Sequence, residues 1–360
     1  MSFQELISNL GGMYNFGDAM SHDQFTVFPI LSRGTTDSGV LGIMETEEKE
    51  QAWIQETEGS ERVDKLLAVN KTEFPVLIPY LHQVEGGKQD RTIFEPILVP
   101  SGYTESQPLD IPAKCIEQSR WTYRNSRGAA TSHKFRSAKT RLASHMANIS
   151  TNQTTQGIMW DSIAAASSVL GYGRAEAPTS SFREIQEHAY TEEKDLSELL
   201  EKLTPAVQIK GQVGLVAFYG GKILGVEIYG SPNLWPQFSE LVLKGFLADW
   251  MFLKEKETKG KIPSDLDQYL RKEFSKIKIT KDDATGAGQL YRFSDQKWQG
   301  ICIQYEGVPL HLYAAKEHID ILKGRRRSGP GMVRRESNVI ETAAMQQTIS
   351  NRMAPGDQDE

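Results

Sequence analysis

Polar side chains that could do chemistry follow two apolar runs in the first third of the chain. They are Lys88, Gln89 and Arg91 after the pair Gly86-Gly87, and Cys115, Glu117, Arg120 and Trp121 further on. A guanidinium group binds phosphate or carboxylate in two-pronged fashion, and a Gln amide can recognise another amide or a base edge. A positioned carboxylate can act as a general base. These residue types predict a ligand site in which Glu117 is the catalytic or orienting group.

Three short apolar runs would position these side chains. They are Phe74–Leu81, Thr92–Val99 and Leu109–Ile116, each bounded by turn-forming residues, and this pattern is typical of strands. Polar groups at neighbouring strand ends are a common way to build a site on a rigid scaffold. We therefore expect Arg91 and Glu117 to converge in space.

Several roles remain open for Glu117. Strand alternation places it on the same face as Cys115, beside a buried apolar surface. Burial would raise the pKa of Glu117, whereas Arg91 or Arg120 would lower it. A general base, a metal ligand and a structural ion-pair partner all fit. The spacing of the His residues gives no support for a metal site, and Cys115 is interpreted as a core residue.

Composition favours a soluble globular protein. The chain has 360 residues, 39% hydrophobic and 24% charged residues, and a net charge of −6. It contains no apolar run long enough for a membrane span, no signal-peptide pattern and only two cysteines. We expect a cytoplasmic protein that does not enter a membrane.

One segment is basic within this acidic chain. Residues 118–160 contain no Asp or Glu but carry Arg120, Arg124, Arg127, Lys134, Arg136, Lys139 and Arg141. A single basic segment favours a small anion or phosphate over nucleic acid as the partner. A solvated face that balances acidic neighbours is the alternative.

The rest of the pattern predicts an α+β fold, mainly antiparallel strands covered by four or five helices. A first strand is expected at Phe25–Leu31, and two hairpins at 214–231 and 298–315. Helices are predicted around Trp53 and Ile54, at 132–149, at 157–170, from Ser181 to about Tyr190, at 196–203, after Pro232, and after Ser264 with Asp267 as the capping-box partner.

The two hairpins resemble each other when Gly214 is set on Gly300. Each gives an apolar strand ending in Tyr, a Gly-containing turn and a second apolar strand. A degenerate internal duplication and convergent turn chemistry both explain this likeness, and the sequence slightly favours convergence.

The predicted domain organisation has three parts. Residues 1–23 form an N-terminal extension, residues 24–323 form the α+β domain, and residues 324–360 form a flexible basic and polar tail that could engage a protein partner. Within the domain, a helical segment at 131–204 would join two sub-halves at 24–130 and 205–323.

The motifs GGKQDR and CIEQSRW resemble those of a bacterial and archaeal family, the ADP-ribosylglycohydrolase and rhodanese-phosphatase-superfamily-associated protein domain (ARPP). The resemblance continues through QGIMWDSI, GGKILGVEIYGSP, GQLYRF and PLHLY and covers roughly residues 24–315. The matching motif residues are Gln89, Arg91, Cys115, Glu117, Arg120 and Trp121. Asp90 stands where the family usually has Asn, and Ser119 where it usually has Gly.

The resemblance implies a link to ADP-ribose or nucleotide processing. The first hypothesis is binding, with hydrolysis as a further step, of a phosphorylated nucleotide-like ligand. Glu117 would be the catalytic residue, and Gln89, Arg91, Arg120, Trp121 and Lys88 would bind the ligand. The second hypothesis is a non-catalytic interaction or scaffold module of a nucleotide-linked or defence system. The sequence assigns no cofactor and leaves self-association open.

Overall fold

Antiparallel strands dominate the structure, as the α+β prediction requires. The computed structural model describes residues 5, 7, 9–34, 38–57, 64–87, 89–117, 134–143, 159, 163, 181–249, 260–295 and 297–316. Its strands are β1 Tyr14–Phe16, β2 Met20–His22, β3 Phe25–Ser32, β4 Leu41–Gly42, β5 Ala52–Gln55, β6 Lys65–Asn70, β7 Val76–Ile78, β8 His82–Gly86, β9 Arg91–Ile93, β10 Ile97–Val99, β11 Leu109–Cys115, β12 Phe135–Arg141, β13 Gln212–Tyr219, β14 Lys222–Tyr229, β15 Lys278–Asp283, β16 Gln289–Ser294, β17 Trp298–Tyr305 and β18 Val308–Lys316.

Helices flank these strands. They are α1 Leu10–Met13, α2 Ile43–Glu48, α3 Phe182–Glu192, α4 Lys194–Leu203, α5 Trp235–Leu247 and α6 Leu266–Phe274, with a 3₁₀ turn at Thr204–Val207. Among the described residues, no helix is both long and apolar enough to cross a membrane.

The largest sheet has nine strands. Eight follow the order β1-β3-β13-β14-β18-β17-β16-β15, and β2 also pairs with β3. All neighbouring strands are antiparallel. One face packs against α1 and α6, whose apolar side chains share a core with alternate residues of the sheet. The opposite face packs against α5 and the smaller sheets.

The hairpins β13–β14 and β17–β18 are equivalent residue by residue. Setting Gly214 on Gly300 aligns their hydrogen-bond registers, and both ladders shift register at the corresponding place, after Ala217 and after Ile303. A β-bulge at the same position in both hairpins is a specific feature that turn chemistry alone does not produce.

The turns and the strand order extend this equivalence. Gly220-Gly221 and Glu306-Gly307 all have positive φ, as a two-residue primed turn requires. The order β1-β3-β13-β14 mirrors β15-β16-β17-β18 about the β14–β18 pair. This symmetry favours the internal duplication over the convergence that the sequence favours. Residues 33–211 are inserted into the first repeat, between β3 and β13.

The inserted region contains two further sheets. Six strands follow the order β12-β8-β9-β11-β6-β5, and a bridge between Gln55 and Lys134 joins the two outer strands, so that the sheet closes into a ring. A small sheet has the order β10-β7-β4. The ring contains the strands that carry both motifs.

The helix predicted at 132–149 is wrong over its described part. Residues Phe135–Arg141 form β12, which pairs with β8. Phe135, Ala138 and Leu142 have helical spacing, but a register shift between Ser137 and Arg141 lets all three be buried from a strand. Tertiary pairing therefore overrides the local periodicity.

Two other predictions, for residues around Trp53 and for the run Thr92–Val99, need correction. Trp53 and Ile54 lie in β5, and the nearby helix is α2, five or more residues earlier. The run Thr92–Val99 contains two strands, β9 and β10, which pair in different sheets. Short apolar runs do not show where a chain leaves one sheet for another.

The predictions for the later helices are mostly confirmed. Ser181 caps α3 by accepting a hydrogen bond from the backbone N–H of Glu184. The cap of α6 is Asp265, which accepts from Gln268, instead of the predicted Ser264. Pro236, instead of Pro232, lies in the first turn of α5. These shifts are small because several capping residues stand side by side.

Some predictions fall outside the described residues. They concern the tail 324–360 and most of the helix at 157–170, of which Met159 and Ile163 are helical and buried. The domain boundaries at 23 and 323 stay predictions.

A buried ionic group, here called the sheet clamp, joins the ring to the nine-stranded sheet. It consists of Arg141 from β12, Glu227 from β14 and His311 from β18. Arg141 Nη1 donates to Glu227 Oε2, and His311 Nε2 lies 2.8 Å from Glu227 Oε1. Burial disfavours the Glu227 charge, but Arg141 and His311 together outweigh this effect and lower the pKa of Glu227. His311 is a fully buried core histidine that is hydrogen-bonded to Glu227.

Candidate functional site

The site begins with the pairing of β9 and β11. Their register places Arg91 opposite Cys115, so the two sequence motifs meet at one end of the ring. The turn before β9 contains Gly86 and Gly87, both with positive φ. A Cβ on Gly87 would lie 2.5 Å from Phe135 Cζ, so only glycine fits this close approach. The glycine pair therefore brings the first motif against the second.

Five side chains form what we call the motif cluster: Gln89, Asp90, Arg91, Cys115 and Glu117. Their exposed fractions are 2%, 1%, 1%, 0% and 5%. The structure thus brings together the described members of the predicted site. The remaining predicted members, Lys88, Arg120 and Trp121, lie outside the described residues.

Gln89 connects the two halves of the motif cluster. Its Nε2 donates to the backbone oxygen of Glu117 over 3.0 Å, and its Oε1 accepts from Arg91 Nη1 over 3.0 Å. Cys115 Sγ lies 2.9 Å from the same Oε1 and 3.0 Å from Arg91 Nη1. The Gln89 amide therefore sets the orientation of Arg91.

Asp90 fixes Glu117 through its backbone. The Asp90 N–H donates to Glu117 Oε2 over 3.1 Å. The Asp90 carboxylate is held separately, because its Oδ2 accepts from Ser181 Oγ over 2.9 Å and from Arg183 Nε over 2.8 Å. Strand β11 also continues into a bridge between Glu117 and Ser181. The start of α3 therefore supports both motifs.

Sequence reasoning missed Arg183 as part of this arrangement. Burial opposes its charge, but Asp90 outweighs this effect and raises the pKa of Arg183 above its ordinary value. Arg183 Nη1 also contacts Glu187 Oε2 at 2.6 Å and Glu85 Oε2 at 3.3 Å. The capping-box pattern identified Ser181 as a helix cap, but no sequence signal relates α3 to residues about ninety positions earlier in the chain.

Arg91 differs from Arg183 and Arg141 in its charge environment. In the described part of the chain, no carboxylate forms an ion pair with Arg91. Its Nε has no hydrogen-bond partner there, but the same is true of Nε and Nη2 of Arg141, so the missing ion pair is the difference. Its neighbours are a neutral amide and a thiol. A cation with 1% exposure and no counter-ion among the described residues is energetically costly.

Cys115 contributes a neutral thiol. Burial raises the pKa of Cys115, and the nearby Arg91 only partly offsets this effect. The fully buried side chain confirms its interpretation as a core residue. Within the described ranges, no group of three His, Cys, Asp or Glu side chains is placed to hold a metal ion.

A cavity of about 420 Å³ lies beside β11, and its lining includes none of the five motif-cluster residues. Its lining includes Lys114, Phe94 and Glu95. Because successive strand residues point to opposite faces, Lys114 points away from Cys115 and the motif cluster. This cavity is therefore separate from the predicted site.

Comparison with protein families gives one match. Residues 13–315 match the family described as ARG and Rhodanese-Phosphatase-superfamily-associated Protein domain, ARPP-1. The chain belongs to this family. The match starts in α1–β1 and ends in β18, so it includes both repeats and the insertion of this ARPP protein. Comparison with curated proteins and with solved structures gives no significant match.

Proposed function

We propose that the motif cluster binds a phosphorylated ligand of the nucleotide or ADP-ribose type. The observation that carries this proposal is the buried Arg91, for which the described residues provide no counter-ion. A phosphate group would supply the missing negative charge and would accept from Nε and Nη together, in the two-pronged geometry that guanidinium favours.

The neighbouring residues support such a role for Arg91. Gln89 holds Nη1 from one side, which leaves Nε to meet a ligand. Asp90 would not compete for the cation, because its carboxylate is bound by Ser181 and Arg183. Lys88, Arg120 and Trp121 belong to the same proposed site through their places in the motifs, as additional cations and as a surface for a ring.

Hydrolysis is the further step of this proposal, with Glu117 as general base. A base must reach the proton that it accepts, and a carboxylate has two oxygens for this purpose. Asp90 N–H fixes Oε2 of Glu117 and thereby orients the carboxylate. The family's association with ARG and rhodanese-phosphatase proteins, recorded in its name, agrees with a nucleotide-related ligand.

Isothermal titration calorimetry tests the proposal with ADP-ribose, NAD, cyclic nucleotides and inorganic phosphate. The wild type should bind at least one of these phosphorylated compounds, and Arg91→Met should weaken that binding by about ten- to a hundredfold, since a hydrogen bond to a charged group contributes about 1.5–3 kcal/mol. Arg271→Met removes the same charge from an exposed position and should leave affinity unchanged.

A non-catalytic interaction module is the second candidate. It is favoured by the hydrogen bonds that the motif residues make to one another, since Gln89 and Glu117 are both engaged within the protein. In that case none of the four compounds binds to the wild type. Equal affinity of the wild type and Arg91→Met would also contradict the binding site.

A further inference from the structure

Strand β15 is an open edge of the nine-stranded sheet. Its six residues pair with β16 on one side, and no strand of the described chain pairs with its other side. The corresponding edge of the first repeat is β1, which has only three residues. A continuous edge presents unpaired N–H and C=O groups to which another strand can be added.

The sequence of β15 is self-complementary in one antiparallel register. When Thr280 faces Thr280 of a second copy, Lys278 lies opposite Asp282 and Ile279 lies opposite Lys281. This arrangement gives two cross-strand Lys–Asp pairs, one on each side of the two-fold axis. Lys278 makes no ion pair within the described structure, so its ammonium group is available.

The neighbouring registers are less favourable. Opposite residues of an antiparallel pair point to the same face of the sheet. Two copies related by a two-fold axis can therefore pair only in registers in which one residue lies opposite its own equivalent. A pair centred on Lys281 would place two lysines against each other, and one centred on Ile279 would be shorter and would lose both Lys–Asp pairs. Like charges directly opposite are destabilising.

We propose that β15 pairs with β15 of a second copy of this chain in the Thr280-centred register. The half-buried Ile279 would then be covered by the aliphatic stem of Lys281 from the second copy. Asp282 would join Lys278 of the second copy while keeping its contact with Arg292 at 2.9 Å. The two sheets would become one continuous sheet, in the same way that β14 and β18 join the two repeats within the chain.

Sedimentation velocity of the full chain over a range from about 1 to about 200 µM tests this proposal, since strand addition of this size gives a concentration-dependent dimer. Lys278→Asp and Asp282→Lys should each weaken the dimer by about tenfold or more, because each places like charges opposite. The double variant Lys278→Asp/Asp282→Lys should restore the dimer. Lys276→Asp, an equal charge change just outside the strand, should leave it unchanged.

Thermal melting of each variant shows whether the protein remains folded, and amide exchange of residues 278–283 locates the contact. Protection of these amides should rise with protein concentration. A monomer over the whole range would overturn the proposal, and would mean that the charges on β15 serve to prevent edge pairing. A dimer that is insensitive to both single variants, or that leaves 278–283 unprotected, would place the interface elsewhere.

Discussion

The motif cluster and the sheet clamp use the same chemical groups in opposite ways. In the sheet clamp, the buried guanidinium of Arg141 meets the carboxylate of Glu227 directly. In the motif cluster, Arg91 and Glu117 each bond to intermediate groups, Arg91 to Gln89 and Glu117 to the backbone of Asp90. In the sheet clamp the buried cation meets a carboxylate, whereas in the motif cluster it meets an amide oxygen and a thiol.

Under the proposed function, this difference would separate a structural role from a binding role. A buried ion pair is costly to break, because removal of one partner leaves an uncompensated charge. A buried cation without a counter-ion already carries that cost in the folded protein. Mutations should therefore damage stability in the sheet clamp and ligand affinity in the motif cluster.

The largest effect is expected at Glu227. Glu227→Gln leaves Arg141 as an unpaired cation and should lower the free energy of unfolding by about 3–5 kcal/mol, measured by urea denaturation. Glu240→Gln changes an exposed i,i+4 pair and should cost under about 0.5 kcal/mol. A loss below about 1 kcal/mol at Glu227 would show that water reaches the sheet clamp.

Two buried histidines should make stability depend on pH. Burial, and then Arg141, lower the pKa of His82 to about 3, and burial lowers the pKa of His311. Below the unfolded pKa of about 6.5, the unfolded chain binds these protons and the folded protein does not. Stability is therefore full above about pH 6.5 and falls as pH decreases.

From about pH 7.5 to about pH 5.5, His82 should remove about 1.4 kcal/mol of unfolding free energy, and His311 should contribute in the same direction. His82→Gln should remove the His82 contribution of about 1.4 kcal/mol and leave the dependence that comes from His311. Burial raises the pKa of Glu47, which contributes in the opposite direction. Urea denaturation at both pH values checks the sign, and equal or greater stability at the lower pH would contradict it.

The sequence predicts the local features of this protein better than it predicts which strands pair with each other. Hairpins and helix caps are specified by adjacent residues, so β13–β14, β17–β18 and the Ser181 cap agree with the structure. The strand Phe135–Arg141 was missed because its pairing with β8 depends on residues about fifty positions away.

The candidate site shows the same limit. Strand alternation and strand ends bring Arg91 and Glu117 to one place, and the structure agrees. Alternation cannot show that Asp90 bonds to Ser181 and Arg183, because that contact depends on where α3 packs. It also cannot show that Arg91 lacks a counter-ion among the described residues, because that depends on the packing of segments distant in the sequence.

Arg91→Met tests the motif cluster against the sheet clamp directly. Because Arg91 has no ionic partner in the described structure, its replacement should change the free energy of unfolding by less than about 1 kcal/mol, or should increase it. Arg141→Met is the matched variant and should cost about 3–5 kcal/mol, since it leaves the Glu227 carboxylate without its cation. Equal losses in the two variants would show that Arg91 is structural.

Glu117→Gln is expected to change stability least. The Gln carbonyl can still accept from the Asp90 N–H, so the hydrogen bond that orients the side chain is kept while the charge is removed. We expect a loss of under about 1 kcal/mol in urea denaturation, because the Asp90 N–H keeps its acceptor. If Glu117 faces a ligand, the substitution should instead lower ligand affinity or turnover. A loss of about 3–5 kcal/mol in the free energy of unfolding, with unchanged ligand affinity, would assign Glu117 to a buried ion pair. Its role would then be structural, like that of the sheet clamp.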